Sequence, residues 1–325
     1  MADNTKKQKF TVKSVLSKNG MGVVLAFVLL CIILGIATDN FFSGSNIIVV
    51  LRQAVWVGLI AIGMTFIIAT GEIDLSVGST VGFCGCVVAA LMKNYGVNIY
   101  LAMLVALLFG GLIGMINGFL VSRLKIASFI ATLAMMEILR GLIYVYTQGV
   151  PIFGLEYDEF TVWAQGYVGF IPIPIIILAI VTVIFWYVMY RTKFGRYVLS
   201  TGSNIEAAKL VGINVASVKM KVYVITGFLS ALSGILLASR SEAAIVDAGS
   251  GYETDAIAAC VIAGTSMAGG SANLLGCILG SVLMATIRNG LNLLNVNSSW
   301  HQVVIGIVII LALIFDKAVH SEKKA

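Results

Sequence analysis

The sequence predicts an all-α polytopic membrane protein of about ten transmembrane helices, some of them short or broken. Three observations carry that prediction. The 325 residues are 59% hydrophobic and 11% charged, with a mean hydropathy of +1.02, far outside the range of a soluble domain. The apolar runs continue unbroken for roughly 20 residues, where a membrane barrel would show alternating segments of about half that length. Finally, the cations concentrate in alternate connections between the runs, as the positive-inside rule requires.

Taken in order, a basic tail at 1–20 carries Lys6, Lys7, Lys9, Lys13 and Lys18 and is placed in the cytoplasm. The apolar segment after it has no small-residue cleavage site, so it reads as the first span and not as a removable signal. Spans are expected at about 21–38, 47–69, 77–92, 99–121, 127–148, 170–190, 222–240, 253–270, 272–291 and 300–316. The first transmembrane half is thus 21–190, a polar cytoplasmic segment occupies 191–221, the second half runs over 222–316, and a tail closes the chain at 317–325. Both termini fall on the cytoplasmic side. Arg123, Lys125, Lys317, Lys323 and Lys324 then lie inside, and Glu156, Asp158, Glu159, Asp247 and Glu253 outside, with Lys93 alone clearly against the rule.

Two spans are weaker than the others. Val77 to Met92 is short and glycine-rich; Tyr252 to Gly270 starts with Glu253 and Asp255 and ends in glycines, so a broken or re-entrant helix stands beside a full span. One such segment in each half suggests an internal duplication, although no single offset aligns all of its features. Gly110, Gly114 and Gly118, like Gly276 and Gly280, recur every four residues and are expected to let helices approach closely. The cysteines Cys31, Cys84, Cys86, Cys260 and Cys277 all sit in apolar stretches without zinc-site spacing, which points to packing.

The longest polar interruption, Arg191 to Lys221, holds Arg191, Lys193, Arg196, Lys209, Lys219 and Lys221 against a single acid, Glu206. Its middle has the signals of a short helix. Asn204 is a good N-cap, Glu206 sits in the first turn, Ala207, Ala208, Lys209 and Leu210 propagate, and Gly212 can close the helix in the left-handed conformation.

Several polar groups stand out elsewhere. TGEIDLSVGS, at 70–79, places Glu72, Asp74 and Ser76 between two apolar runs. In a turn at the cytoplasmic surface Asp74 and Ser76 would cap the next helix; at membrane depth the acids would line a path or relay protons. Glu137 and Arg140 lie three apart on one helical face and are expected to neutralise each other, in a structural role or along a cavity. Arg52 is expected to snorkel to the outer interface, and Arg288 has no obvious local partner. Gln53, Gln148, Asn289, Asn292 and Gln302 offer hydrogen bonds to a polyhydroxylated solute or to neighbouring helices.

GTSMAGGS, at 264–271, has the glycine spacing of a phosphate loop but Gly270 where the lysine belongs, so the chain is not expected to hydrolyse ATP itself. Nucleophile elbows, zinc-protease motifs and basic patches interleaved with aromatics are also missing from the sequence, which argues against a membrane enzyme and against nucleic-acid binding.

The combination of TGEIDLSVGS (70–79), GSNIEAAKLVGINV (202–215), GYETDAIAACVIAGTSMAGG (251–270) and NGLNLLNV (289–296) closely resembles the permease subunits of ABC sugar importers of the ribose, xylose and autoinducer-2 type. The resemblance covers nearly the whole chain. It implies two permease subunits, here expected to be two copies of this chain, cytoplasmic ATP-binding subunits that hydrolyse the ATP, and an extracytoplasmic binding protein that delivers the solute. It also implies that Asn204, Glu206, Ala207, Ala208 and Gly212 form the element that docks into the ATPase. Glu72 departs from the glycine common in such relatives, as Ser203 and Val211 depart from glycine and serine, and the added carboxylate is expected to alter solute preference. Two alternatives remain at this stage: a nucleoside or furanose-signal permease of the same class, and a proton-coupled transporter using Glu72, Asp74 and Glu137.

Overall fold

A computed structural model describes residues 21–297, 299–308 and 310. The tails at 1–20 and 317–325 and the end of the last expected span lie outside the described residues. Helices α1 (Met21–Ala37), α2 (Gly44–Ala69), α3 (Val77–Lys93), α4 (Ile99–Ser122) and α5 (Ser128–Thr147) follow in sequence. A short helix α6 (Asp158–Gln165) and the antiparallel strand pair β2 (Tyr167–Val168) and β3 (Ile171–Pro172) then lead into α7 (Ile173–Arg191). Two polar-segment helices come next, α8 (Lys193–Ser203) and α9 (Ile205–Leu210), and the chain continues through α10 (Val215–Ser241), α11 (Tyr252–Ile262), α12 (Leu274–Leu293) and α13 (Ser299–Val308). Strand β1 (Ile152–Phe153) pairs antiparallel with β4 (Ala243–Ala244), tying the α5–α6 connection to the end of α10.

Among the described residues six helices, α2, α4, α5, α7, α10 and α12, are long and apolar enough to cross a membrane. Of the remaining expected spans, α1 and α3 have 17 residues each, and only 300–308 and 310 of the last are described. Of the two forms expected for 253–270, the broken one is present: α11 has 11 residues, about 16 Å at 1.5 Å per residue, roughly half of a hydrocarbon core. It stops where Gly264 takes φ +86° and a turn-rich stretch begins.

Helix α2 is the central post. Every residue from Ala54 to Ala69 is buried, the pattern of a helix apolar all round and enclosed by others. Helix α10 packs along both α2 and α4. The glycine series is the reason that last contact is so close: methyl groups on Gly110, Gly114 and Gly118 would overlap Gly227, the Tyr223 carbonyl and Met220 respectively. Gly280 meets Ala259 of α11 in the same way. Cys84, Cys86, Cys260 and Cys277 are buried packing residues, with Cys260 Sγ against Thr65 Oγ1 and the Ala61 carbonyl. By contrast α1, α5 and α7 present long apolar faces outward, including Ile33, Ile130, Val145 and Val183, as lipid-facing helices do.

The polar segment differs from expectation in one respect. Only its middle was expected to be helical, whereas α8 precedes that helix and α10 already begins at Val215, so Lys219 and Lys221 belong to a long helix and not to a loop. Val215, Val218 and Val222 recur on one face and continue the apolar stripe of α10 down to its first turn.

Candidate functional site

Helix α9 is built from its ends. Asn204, in extended conformation, accepts a hydrogen bond on Oδ1 from the Ala207 amide at 3.0 Å, and Lys209 Nζ donates to Glu206 Oε1 at 2.7 Å. At the far end Gly212 takes φ +82°, its amide donates to the Lys209 carbonyl and the Ile213 amide to the Ala208 carbonyl, which is the paired closure of a Schellman motif. Only Ala208 of the six helical residues is buried. Leu210 and Val211 are 88% and 76% exposed, so an apolar tip projects beside the exposed Glu206–Lys209 pair.

The end of α8, which leads into α9, packs against the break between α2 and α3. The stretch at 70–76, apart from the exposed Gly71, is covered by three helices. Ser128 and Thr132 of α5 accept from the Ile73 and Leu75 amides at 3.3 and 3.1 Å, and Tyr223 Oη of α10 donates to the Ile73 carbonyl at 3.1 Å. From α4, Asn117 Nδ2 donates to Ser76 Oγ at 2.8 Å. Asp74 is fully enclosed and accepts from both the amide and the hydroxyl of Ser76, at 2.9 and 2.7 Å, holding the first turn of α3. Glu72 pairs with Lys219 of α10, the two side chains only 16% and 11% exposed.

The glycines of the phosphate-loop look-alike have a different use here. Gly269 and Gly270, both at positive φ, press against Gly202 and Ser203 at the end of α8, and the Gly270 amide donates to the Ala69 carbonyl at 3.0 Å. A side chain on Gly202 would overlap that carbonyl. Three chain segments therefore meet backbone to backbone at the end of α8, two residues before α9 begins.

Other expected pairs are rearranged. Glu137 and Arg140 do not neutralise each other: Arg140 Nη1 donates to the Val246 and Ala248 carbonyls at 3.0 and 3.2 Å, and Glu137 is exposed midway along α5. The reason is the irregular chain at 245–250, whose carbonyls have no helical partners and attract the guanidinium. Arg52 donates to the Gln165 carbonyl at 3.3 Å and lies 4.7 Å over the Tyr167 ring, both in the connection between α5 and α7. Arg288 has a partner after all, Asp255 of α11, which receives both Nε and Nη2 on Oδ2 at 3.0 and 2.7 Å. Asn289 is an interhelical residue: its amide exchanges two hydrogen bonds with Asn46 of α2, while Asn292 is exposed.

Sequence reasoning missed Lys219, Tyr223 and Asn117. The first two lie on the stripe of α10 beside Val218 and Val222, a periodicity hidden by counting the lysines as loop.

Residues 46–313 match the family described as the permease component of the branched-chain amino acid transport system. The chain belongs to this family. It is also 41% identical to the ribose import permease of Haemophilus influenzae, over 92% of this chain and 93% of that one. The ribose import permease of Bacillus subtilis is 42% identical over 96% and 97%, and the L-arabinose transport permease of Escherichia coli 35% over 93% and 92%. Solved structures give no match. The family and the apolar helices make the chain a multi-pass transport permease of the bacterial inner membrane.

Proposed function

We propose that the chain is the transmembrane subunit of an ATP-driven ABC importer that carries a monosaccharide, a ribose-like pentose, delivered by an extracytoplasmic binding protein. Two copies form the pore, each with about ten spans and both termini in the cytoplasm. ATP is bound and hydrolysed by a separate cytoplasmic subunit, not by this chain. The observation that carries the reading is α9: a six-residue helix, stabilised at both ends, that exposes an apolar tip where the basic charges mark the cytoplasmic face. So short a helix is marginal on its own, and such an apolar tip fits insertion into a partner's cleft. Asn204, Glu206, Ala207, Ala208 and Gly212 form this docking element.

The path between the two copies runs past α5. A carboxylate at bilayer depth costs about 2.5–3.5 kcal/mol against lipid, so the exposed Glu137 faces water or the second copy. Arg140 and Asn292 are assigned to the same path, whereas Glu72, Asp74 and Ser76 serve the break. A proton-coupled transporter is not favoured, because Glu72 and Asp74 already have partners in Lys219 and Ser76.

Uptake of radiolabelled ribose by cells expressing the chain with its binding protein and ATP-binding subunit tests this reading. Uptake is expected to survive a protonophore and to fail when ATP is depleted. Uptake that collapses with the proton gradient while ATP is maintained would refute it.

A further inference from the structure

We propose that the Glu72–Lys219 ion pair is a latch that carries movement of α9 into the break between α2 and α3, which makes these two side chains positioning residues for transport. The inference rests on the reading of the chain as an ATP-driven permease.

Helix α9 hangs between two arms, and both grip the same stretch of chain. The first arm is the end of α8, where Gly202 is pressed against the Ala69 carbonyl and the Gly270 amide, and Gly269 packs between Gly202 and Gly71. The second arm is the start of α10. It follows directly on the closure of α9, where the Ile213 amide bonds to the Ala208 carbonyl, and Asn214 caps it by accepting from the Ser217 amide at 3.0 Å. Lys219 reaches Glu72 from the following turn, and Tyr223, one turn further, holds the Ile73 carbonyl. A push on α9 therefore reaches residues 69–73 from two sides.

The break in turn holds α5. The Ile73 and Leu75 amides bond to the Ser128 and Thr132 hydroxyls, so displacement of the break moves the helix that carries Glu137. Within this linkage the first arm is backbone against backbone, and the ion pair is the charged connection of the second. A buried ion pair is a poor device for stability, since apolar residues of similar size often hold a fold as well or better. What it supplies is a specific attachment between two segments 147 residues apart that can move together.

The test uses the full chain in lipid nanodiscs or vesicles with its ATP-binding subunit and ribose-loaded binding protein. Solute moved per ATP hydrolysed is measured alongside thermal stability. Variants are Glu72→Gln, Lys219→Met, the two combined, and the exchange of Glu72→Lys with Lys219→Glu. Lys219→Met leaves a buried carboxylate alone and lowers both readouts. The neutral double variant has no orphaned charge, so it recovers stability, yet its transport ratio stays down by about tenfold. The exchange variant restores most of the ratio. A neutral double variant with the wild-type ratio overturns the latch and leaves the functional reading standing. A wild-type chain that associates with no ATP-binding subunit overturns that reading and the latch with it.

Discussion

Gly212→Ala isolates what closes α9. Gly212 holds φ +82°, and a methyl group added there meets no atom within 4 Å, so the substitution introduces no clash. Its only cost is the left-handed conformation, about 1–2 kcal/mol for a residue with a side chain. A helix of six residues has little with which to absorb that loss. The opening equilibrium of 205–213 should therefore rise roughly 5- to 30-fold. Amide hydrogen exchange in lipid nanodiscs reads this directly at the Ala208, Lys209, Val211 and Ile213 amides. Exchange elsewhere, at α2 and α12 for instance, should be unchanged. Gly212→Asn should show a smaller effect, since asparagine tolerates the left-handed region. Exchange in Gly212→Ala within twofold of wild type, or equal acceleration in both variants, would refute the argument that this one backbone angle holds the helix.

Three further outcomes are expected. Arg288→Met leaves the enclosed Asp255 carboxylate without its guanidinium and should destabilise the protein by about 3–5 kcal/mol, read as a fall in melting temperature; adding Asp255→Asn should recover most of it. Gly114→Val forces α4 off the Tyr223 carbonyl of α10, and the folded fraction on size-exclusion chromatography should drop sharply, whereas Gly141→Ala, where a methyl group meets open space, should elute as wild type. Asn204→Ala removes the cap from the Ala207 amide and should weaken α9 by about 1 kcal/mol, seen as faster exchange at that amide without loss of membrane insertion.

What was legible in the sequence was local. Helix α9 could be read because its signals, Asn204 at one end and Gly212 at the other, lie within nine residues of each other and act on the adjacent backbone. The small-residue series announced close packing for the same reason, although not that α10 would be the partner. The break at 70–76 was visible as a polar interruption, but its burial was not, because the covering groups Asn117, Ser128, Thr132 and Tyr223 come from three other helices. Spacing misled for Glu137 and Arg140, since residues three apart on a helix can pair, yet unsatisfied carbonyls at Val246 and Ala248 compete successfully for the guanidinium. Arg288 found its partner 33 residues away, a distance at which sequence gives no pairing rule. Nor does hydropathy distinguish a central helix such as α2 from a lipid-facing one such as α7, because protein interior and lipid ask for the same residues.

The central claim is that this permease is driven by ATP through α9. Its most direct test is ATP hydrolysis by the chain in lipid nanodiscs with its ATP-binding subunit, with and without the loaded binding protein, for wild type and Glu206→Arg. The account predicts association of the two subunits, hydrolysis stimulated by the loaded binding protein, and loss of that stimulation in the variant with the membrane fold intact. Absence of association, or stimulation undiminished in Glu206→Arg, would contradict it.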